Sequence, residues 1–107
     1  MPMITVKYDD IKVTDQEILE LGNALQKIVA EATQIEDVFV YADSPKIKIA
    51  VAPIEVFVQM GAGAISDKEA LLQDIKTKIS AWKQTSNFVQ PITLTLMPMD
   101  WKFEAGI

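Results

Sequence analysis

Apolar and polar residues alternate over the first eight positions of the chain, directly behind Met1-Pro2. Such alternation is typical of a half-buried β-strand. A second proline, Pro53, precedes a stretch of similar pattern from Ile54 to Gln59. We therefore predict two strands, each introduced by a proline.

Three further stretches have strand-like composition. Residues 38–41 carry apolar side chains on both sides, which predicts either a central position in a sheet or a contact with another copy. Residues 92–97 alternate regularly and predict a strand. Residues 46–52 alternate at their start but run into Pro53, which cannot donate a ladder hydrogen bond, so they predict an extended arm or an edge strand.

Two helices are predicted, each behind a sequence that can cap its first turn. Thr14 and Glu17 have the capping-box spacing, and Ser66 and Glu69 repeat it. Apolar residues then recur at three- and four-residue intervals, which gives each helix one apolar face. The glycine-containing stretch 60–65 matches no phosphate-binding motif, so we interpret it as an ordinary mobile loop.

The order strand, helix, strand occurs twice, and a similar interval separates Pro2 from Pro53 and Thr14 from Ser66. Right-handed crossovers place both helices on the same side of one sheet. The sequence thus predicts one α+β domain, residues 1–107, with the order βαββαβ. Its four-stranded sheet carries both helices on one face, with short extra strands near 46–50 and 99–104.

The two faces of this predicted sheet differ. The helix-facing residues are Ile4, Val6, Ile54, Val56, Val58, Ile92, Leu94 and Leu96. The opposite side, which we call the open face, carries Thr5, Lys7, Phe39, Tyr41, Phe57, Thr93, Thr95 and Met97. A face this apolar is poorly suited to water, so we predict self-association through it, aided by the aromatic tail residues Trp101 and Phe103.

The amino-acid composition excludes several catalytic groups and classes of partner. The chain has no cysteine and no histidine, which excludes thiolate chemistry and the usual general base near neutral pH. Its ten basic residues are all lysines and the net charge is −5, so we expect no nucleic-acid partner. No apolar run is long enough for a membrane span and no secretory signal is visible. We expect a cytoplasmic protein with no metal or other cofactor.

Pro2 has the most specific chemistry in the chain. If Met1 is removed, the new terminus is a secondary amine that can act as a base or as a nucleophile. Apolar neighbours such as Phe39, Phe57 or Met60 could lower its pKa by desolvation. Tyr8, Tyr41 and Asp100 are the available proton donors or hydrogen-bond donors.

Met1-Pro2 at the start of a duplicated β-α-β unit resembles the tautomerase superfamily, which includes 4-oxalocrotonate tautomerase and macrophage migration inhibitory factor. Segments 52–56 and 97–103 look most similar to a small bacterial family of that fold with no assigned function. The resemblance implies a homotrimer in which Pro2 is the general base of keto–enol chemistry. Members that act on dicarboxylates commonly anchor them with arginine, which this chain lacks, so we expect a neutral or singly charged substrate.

Four residues are predicted to contact that substrate beside Pro2: Lys7, Tyr41, Phe57 and Met60. The other candidate cations are Lys46, Lys48 and Lys102. Two alternatives stay open. One is a non-catalytic oligomeric binding module of the same fold, and the other is a ferredoxin-like ligand-binding domain, because that fold has the same linear order of elements.

Overall fold

The predicted order of strands and helices is confirmed in a computed structural model that describes residues 1–107. A short 3-10 turn, Ala62–Ala64, is the one additional element. The elements are β1 (Met3–Tyr8), α1 (Asp15–Thr33), β2 (Phe39–Asp43), β3 (Ile54–Gly61), α2 (Lys68–Ser86) and β4 (Thr93–Met99).

The sheet has the strand order β2-β1-β3-β4. Each β-α-β unit forms a parallel pair, β1 with β2 and β3 with β4, and the units meet where β1 and β3 pair antiparallel. The first and second strands are therefore direct neighbours. A ferredoxin-like domain has a split β-α-β unit instead, so this topology excludes that alternative.

The core lies between the sheet and both helices, as the sequence predicts. Full burial of an aliphatic side chain contributes roughly 1.5–3 kcal/mol, so this layer supplies most of the favourable energy of folding. The fully buried helix-facing strand residues are Ile4, Val6, Ile54, Val56 and Val58, and they pack with Leu21, Leu25, Val29, Ile75 and Ile79 from the helices.

The capping box of α1 is confirmed. The Thr14 hydroxyl accepts a hydrogen bond from the Glu17 backbone N–H at 3.1 Å, and Glu17 Oε1 accepts from the Thr14 backbone N–H at 3.0 Å. The helix ends at Thr33, and Gln34 adopts a left-handed conformation with φ 58°. Two orphan donors at the start of the helix are thereby satisfied by side chains.

The predicted capping box of α2 is wrong. Asp67, rather than Ser66, is the N-cap, and its carboxylate accepts from the Ala70 backbone N–H at 3.1 Å. Aspartate is as good a cap as serine and also brings a negative charge to the positive end of the helix dipole. The helix therefore begins one residue later than the Ser66–Glu69 spacing indicates.

The central position considered for residues 38–41 is also wrong. Strand β2 lies at the edge of the sheet, and its open-face aromatic residues remain accessible, with Phe39 43% and Tyr41 58% exposed. The pattern shows that both faces of the strand are apolar. It does not show whether a second strand pairs with its outer edge, and here none does. The other interpretation, a contact with another copy, stays a prediction.

Neither predicted extra strand forms within the chain. Strand β4 extends to Met99, beyond its predicted end, but residues 100–107 have no regular structure. The segment 44–52, which we call the arm, makes no backbone–backbone hydrogen bond. Its alternation lacks a neighbouring strand, and Lys48 holds it instead by donating to Asp10 Oδ1 at 2.8 Å and to the Ser44 hydroxyl and Pro45 carbonyl, both at 3.1 Å.

Neither α1 nor α2 is long and apolar enough to cross a membrane.

The cap of α2 gives a test of this fold. Asp67→Ala removes the acceptor for the Ala70 N–H, so we expect the free energy of unfolding to fall by about 1 kcal/mol. Ser66→Ala is the matched control, because Ser66 makes no capping hydrogen bond, and it should change stability by less than about 0.5 kcal/mol. Urea unfolding at one fixed protein concentration measures both. Equal losses in the two variants would contradict the assignment of Asp67 as the cap.

Candidate functional site

Pro2 lies immediately before β1 and is fully buried. Its carbonyl accepts a hydrogen bond from the Phe39 N–H at 3.2 Å, which ties this residue to the start of β2. The antiparallel register pairs Met3 with Gln59. Continued beyond the end of β1, this register puts Pro2 opposite Met60 after one step and Met1 opposite Gly61 after two.

The C-terminal tail, residues 100–107, contacts the same end of the sheet through Trp101. The position that a Cβ atom would occupy on Gly61 is 3.6 Å from Trp101 Nε1, so the indole packs on this glycine. Gly61 has the parity of Phe57 and Gln59, which places Trp101 on the open face. Trp101 thus has a contact within its own chain, whereas Phe103 remains 57% exposed. We call Pro2, Phe39, Met60, Gly61 and Trp101 the proline end.

Lys7 lies at the other end of β1. Five residues of extended strand separate it from Pro2, a span of about 17 Å. Its ammonium forms an ion pair with Asp43, with Nζ 2.7 Å from Oδ1 and 3.0 Å from Oδ2. Within one chain, the structure therefore does not bring the predicted Lys7 contact together with Pro2.

Tyr41 and Phe57 occupy the middle of the open face, on either side of Thr5 in the sheet register. Phe57 and Lys7 line one pocket of about 330 Å³, together with the arm residues Val51 and Ala52. Three of the four predicted substrate contacts thus share the open face. They lie across its middle and its far end rather than at the proline end.

Met60 does not belong with them. It is only 1% exposed and lies on the helix-facing side of β3. The cause is that β3 continues through Gly61, so the buried alternation of Ile54, Val56 and Val58 runs on to Met60 instead of giving way to a loop. In the single chain Met60 is therefore not accessible from the open face, and its contact with a substrate stays a prediction. The predicted loop 60–65 is correspondingly shorter.

Three lysines surround a second pocket, of about 500 Å³, between the turn after β1 and the arm. Lys48 is engaged there with Asp10, whereas Lys12 and Lys46 form no side-chain hydrogen bond or ion pair. We call Lys12, Lys46 and Lys48 the basic pocket. Lys12 was not among the sequence candidates. Its position in a turn gave no periodic signal, and only the folded arm brings it near Lys46.

The Tyr8 side chain forms a hydrogen bond within the chain. Its hydroxyl donates to Asp15 Oδ1 at 2.7 Å. This hydrogen bond, followed by burial and the charge of the carboxylate, raises the pKa of Tyr8 to about 12. A phenol held so firmly in its neutral form is a poor proton donor near neutral pH. Asp100, the other predicted acid, is exposed just past β4.

No three acidic side chains converge in an arrangement that could hold a metal ion.

Three solved structures share this architecture over almost the whole chain. A domain of unknown function (DUF1904) from Sebaldella termitidis superposes with a TM-score of 0.66 at 12% identity, over 100% of this chain and 98% of that one. A fused 4-OT in an asymmetric trimer gives 0.66 at 14% identity, over 97% and 94%. Malonate semialdehyde decarboxylase gives 0.66 at 14% identity, over 98% and 92%.

No protein-family model and no curated protein sequence matches the chain. At identities this low, the likeness to solved structures establishes the fold and leaves the chemistry to the residues themselves.

The Tyr8–Asp15 contact can be tested by alkaline titration. In a Tyr41→Phe background, we expect the absorbance of Tyr8 phenolate to appear near pH 12 rather than near 10. Because the folded-state pKa is raised, the stability that this contact contributes is fully present below pH 10 and is lost as pH rises through 12. Asp15→Asn should move the titration back toward 10. An unchanged titration in that variant would contradict the role assigned to Asp15.

Proposed function

We propose that this chain, which has the fold of the tautomerase superfamily as its resemblance predicts, is a tautomerase- or isomerase-like enzyme. Its general base is Pro2, freed as the terminal residue by removal of Met1. The observation that carries the proposal is the placement of Pro2 at an end of the sheet built from Phe39, Met60, Gly61 and Trp101.

The apolar surroundings of Pro2 suit an amine base. Transfer of an amine to a poorly hydrated site disfavours its charged form and lowers its pKa below the ordinary value of about 8. An appreciable fraction is then unprotonated at neutral pH and able to take a proton from an enol or from the carbon next to a carbonyl.

The distribution of lysines supports a substrate with at most one negative charge. Lys102 follows Trp101 and is exposed beside the proline end, where it supplies one cation. The basic pocket lies beyond the opposite end of β1. Lys12 and Lys46 therefore reach a proline end only on a neighbouring copy. Lysine supplies charge without the two-point fork of arginine, which fits a single carboxylate better than a pair.

The assembly that we propose is a homotrimer built through the open face. Phe39 and Tyr41 remain exposed there, as do Ile47 and Ile49 on the arm, at 82% and 97%. The unpaired backbone of the arm is also free to add to a sheet edge of another copy. The fused 4-OT of the same fold is itself a trimer.

A specific observation also favours the second candidate, a non-catalytic binding module of the same fold. With Met1 attached, the Pro2 nitrogen is an amide without basicity, and the residue is fully buried. The five principal pockets of the single chain do not include it. The state of the native N-terminus therefore decides between the two candidates.

The catalytic proposal predicts that Pro2→Ala slows enol-to-keto conversion of phenylpyruvate by about 100-fold, because a freely rotating primary amine replaces the secondary amine that the prolyl ring holds in place. Ultraviolet absorbance of the enol measures the rate, and mass spectrometry verifies each terminus. For the wild type, kcat/KM should rise with pH through an apparent pKa below about 8, since only the unprotonated amine acts as base.

Two controls accompany this test. Protein purified with Met1 retained should be inactive, and Pro91→Ala, in the exposed loop before β4, should behave as the wild type. Equal rates for wild type and Pro2→Ala, or a native protein that keeps Met1, would reject the catalytic candidate in favour of the binding module.

The assembly proposal predicts that Phe57→Lys, which places a charge at the centre of the open face, converts the trimer to a monomer at micromolar concentration because the charge would be buried unpaired. Light scattering measures the mass. Ala81→Lys adds the same charge on the exposed side of α2 and should leave the mass unchanged. A wild type that is monomeric under these conditions would refute the trimer.

A further inference from the structure

The geometry points to Trp101 as the hydrogen-bond donor that holds the substrate oxygen at the proline end, where its indole N–H stabilises the negative charge of an enolate. This assignment rests on the proposed function, because it supplies the second group that a proline base requires. A base that removes a proton from carbon works well only when the oxygen that receives the electrons is also stabilised.

The position of the indole carries the first step. Trp101 Nε1 lies 3.6 Å from the point where a Gly61 side chain would begin. A Cβ at this position would be in van der Waals contact with the indole, so the ring packs directly on the open-face side of Gly61. The antiparallel register brings Met1 beside Gly61 and Pro2 beside Met60. By the alternation of β1, Met1 falls on the same face as Gly61, so its removal leaves space on the face where the indole packs.

The hydrogen-bonding state of the indole carries the second step. Trp101 Nε1 makes no hydrogen bond within the chain, and no buried polar side-chain atom lacks a partner. The N–H is therefore accessible rather than sealed in the core. An indole nitrogen can only donate, so it complements an oxygen that becomes negative and offers nothing to a cation.

The other candidate hydrogen-bond donors lie away from the proline end or have the wrong charge. Tyr8 donates to Asp15 near the opposite end of β1. Tyr41 lies beside Thr5, about three residues of strand away from Pro2. Asp100 is a carboxylate, and in its charged form it repels an oxyanion. Of the polar side chains discussed for this site, the indole is the one that the structure places against Gly61, where packing holds it.

The resulting proton transfer is balanced. The unprotonated Pro2 nitrogen takes a proton from the carbon beside the carbonyl, and the C–H electron pair becomes the carbon–carbon double bond. The carbonyl π electrons move to oxygen, which accepts a hydrogen bond from Trp101 Nε1–H. The prolinium then returns the proton to that oxygen to give the enol. Trp101 keeps its own proton throughout, and ketonisation is the reverse sequence.

Kinetics provide the first test, using the full chain with Met1 removed and phenylpyruvate as substrate. Trp101→Phe keeps an aromatic ring on Gly61 but removes the N–H. We expect kcat to fall roughly 10- to 100-fold, the range for a hydrogen bond to a charged group, with KM changed less than threefold. Trp82→Phe, the matched substitution between the helices, should leave both constants within twofold of the wild type.

Spectroscopy provides the second test, which does not require turnover. The ¹H–¹⁵N spectrum contains two indole signals, and Trp101→Phe assigns them. Addition of p-nitrophenolate, an aromatic anion whose charged oxygen resembles that of an enolate, should move the Trp101 N–H signal downfield by more than about 0.3 ppm, as a charge-assisted hydrogen bond forms. The Trp82 signal should not move.

The outcomes separate this inference from the function on which it rests. If wild type turns over phenylpyruvate and Pro2→Ala does not, but Trp101→Phe retains the wild-type kcat, Trp101 is not the donor and Pro2 remains the base. If no turnover occurs but the Trp101 signal moves, the indole binds an oxyanion and the catalytic proposal fails. If neither is observed, both are overturned.

Discussion

The antiparallel pairing of β1 with β3 is the contact on which the rest of this molecule depends. Each of these strands also has a parallel neighbour, but those two parallel pairs lie within the β-α-β units. The central pair joins the two units. Its helix-facing residues are completely buried, namely Ile4, Val6, Ile54, Val56 and Val58. With the two units joined in this way, the apolar faces of both helices pack on one face of the sheet, and the open face stays uncovered.

The same pairing divides the chemistry of the chain between two ends. In an antiparallel pair, the start of one strand lies beside the end of the other, so Pro2 lies near Gly61 while Lys7 lies near Glu55. Parallel β4 ends at Met99, level with Gly61, and Trp101, two residues further on, packs back onto that glycine. The basic pocket, formed by lysines of the turn after β1 and of the arm, lies beyond the opposite end of β1. Under the proposed function, the proline end and the basic pocket of one chain lie too far apart to act together, which is the physical reason for expecting a site at a boundary between copies.

Much of this architecture could be predicted from the residues, because local signals and tertiary packing agree. The alternation of Ile4 and Val6, the Thr14–Glu17 box and the repeated element order each indicate the structure that forms. The α2 cap fails locally, because Asp67 and Ser66 are adjacent and both can cap a helix. The other failures depend on neighbours that are remote in sequence. Met60 was assigned to a loop because two glycines follow it, yet pairing with β4 extends its strand. The arm alternates as a strand does but has no partner in the chain, and Trp101 could be placed on Gly61 only after the register of β4 was known.

The burial of Pro2 sets a time limit on the maturation of the protein. In the folded chain this residue is inaccessible, and its carbonyl is bonded to β2. An aminopeptidase requires an extended, free terminus, so for a chain that starts at Met1 it must act before the sheet closes. The partner strand β3 is synthesised about fifty residues after β1, an interval of roughly 3 to 10 s on the ribosome. If Met1 is removed, as the proposed function requires, excision competes with folding during translation, and the ratio of the two rates sets the fraction of molecules with a free prolyl amine.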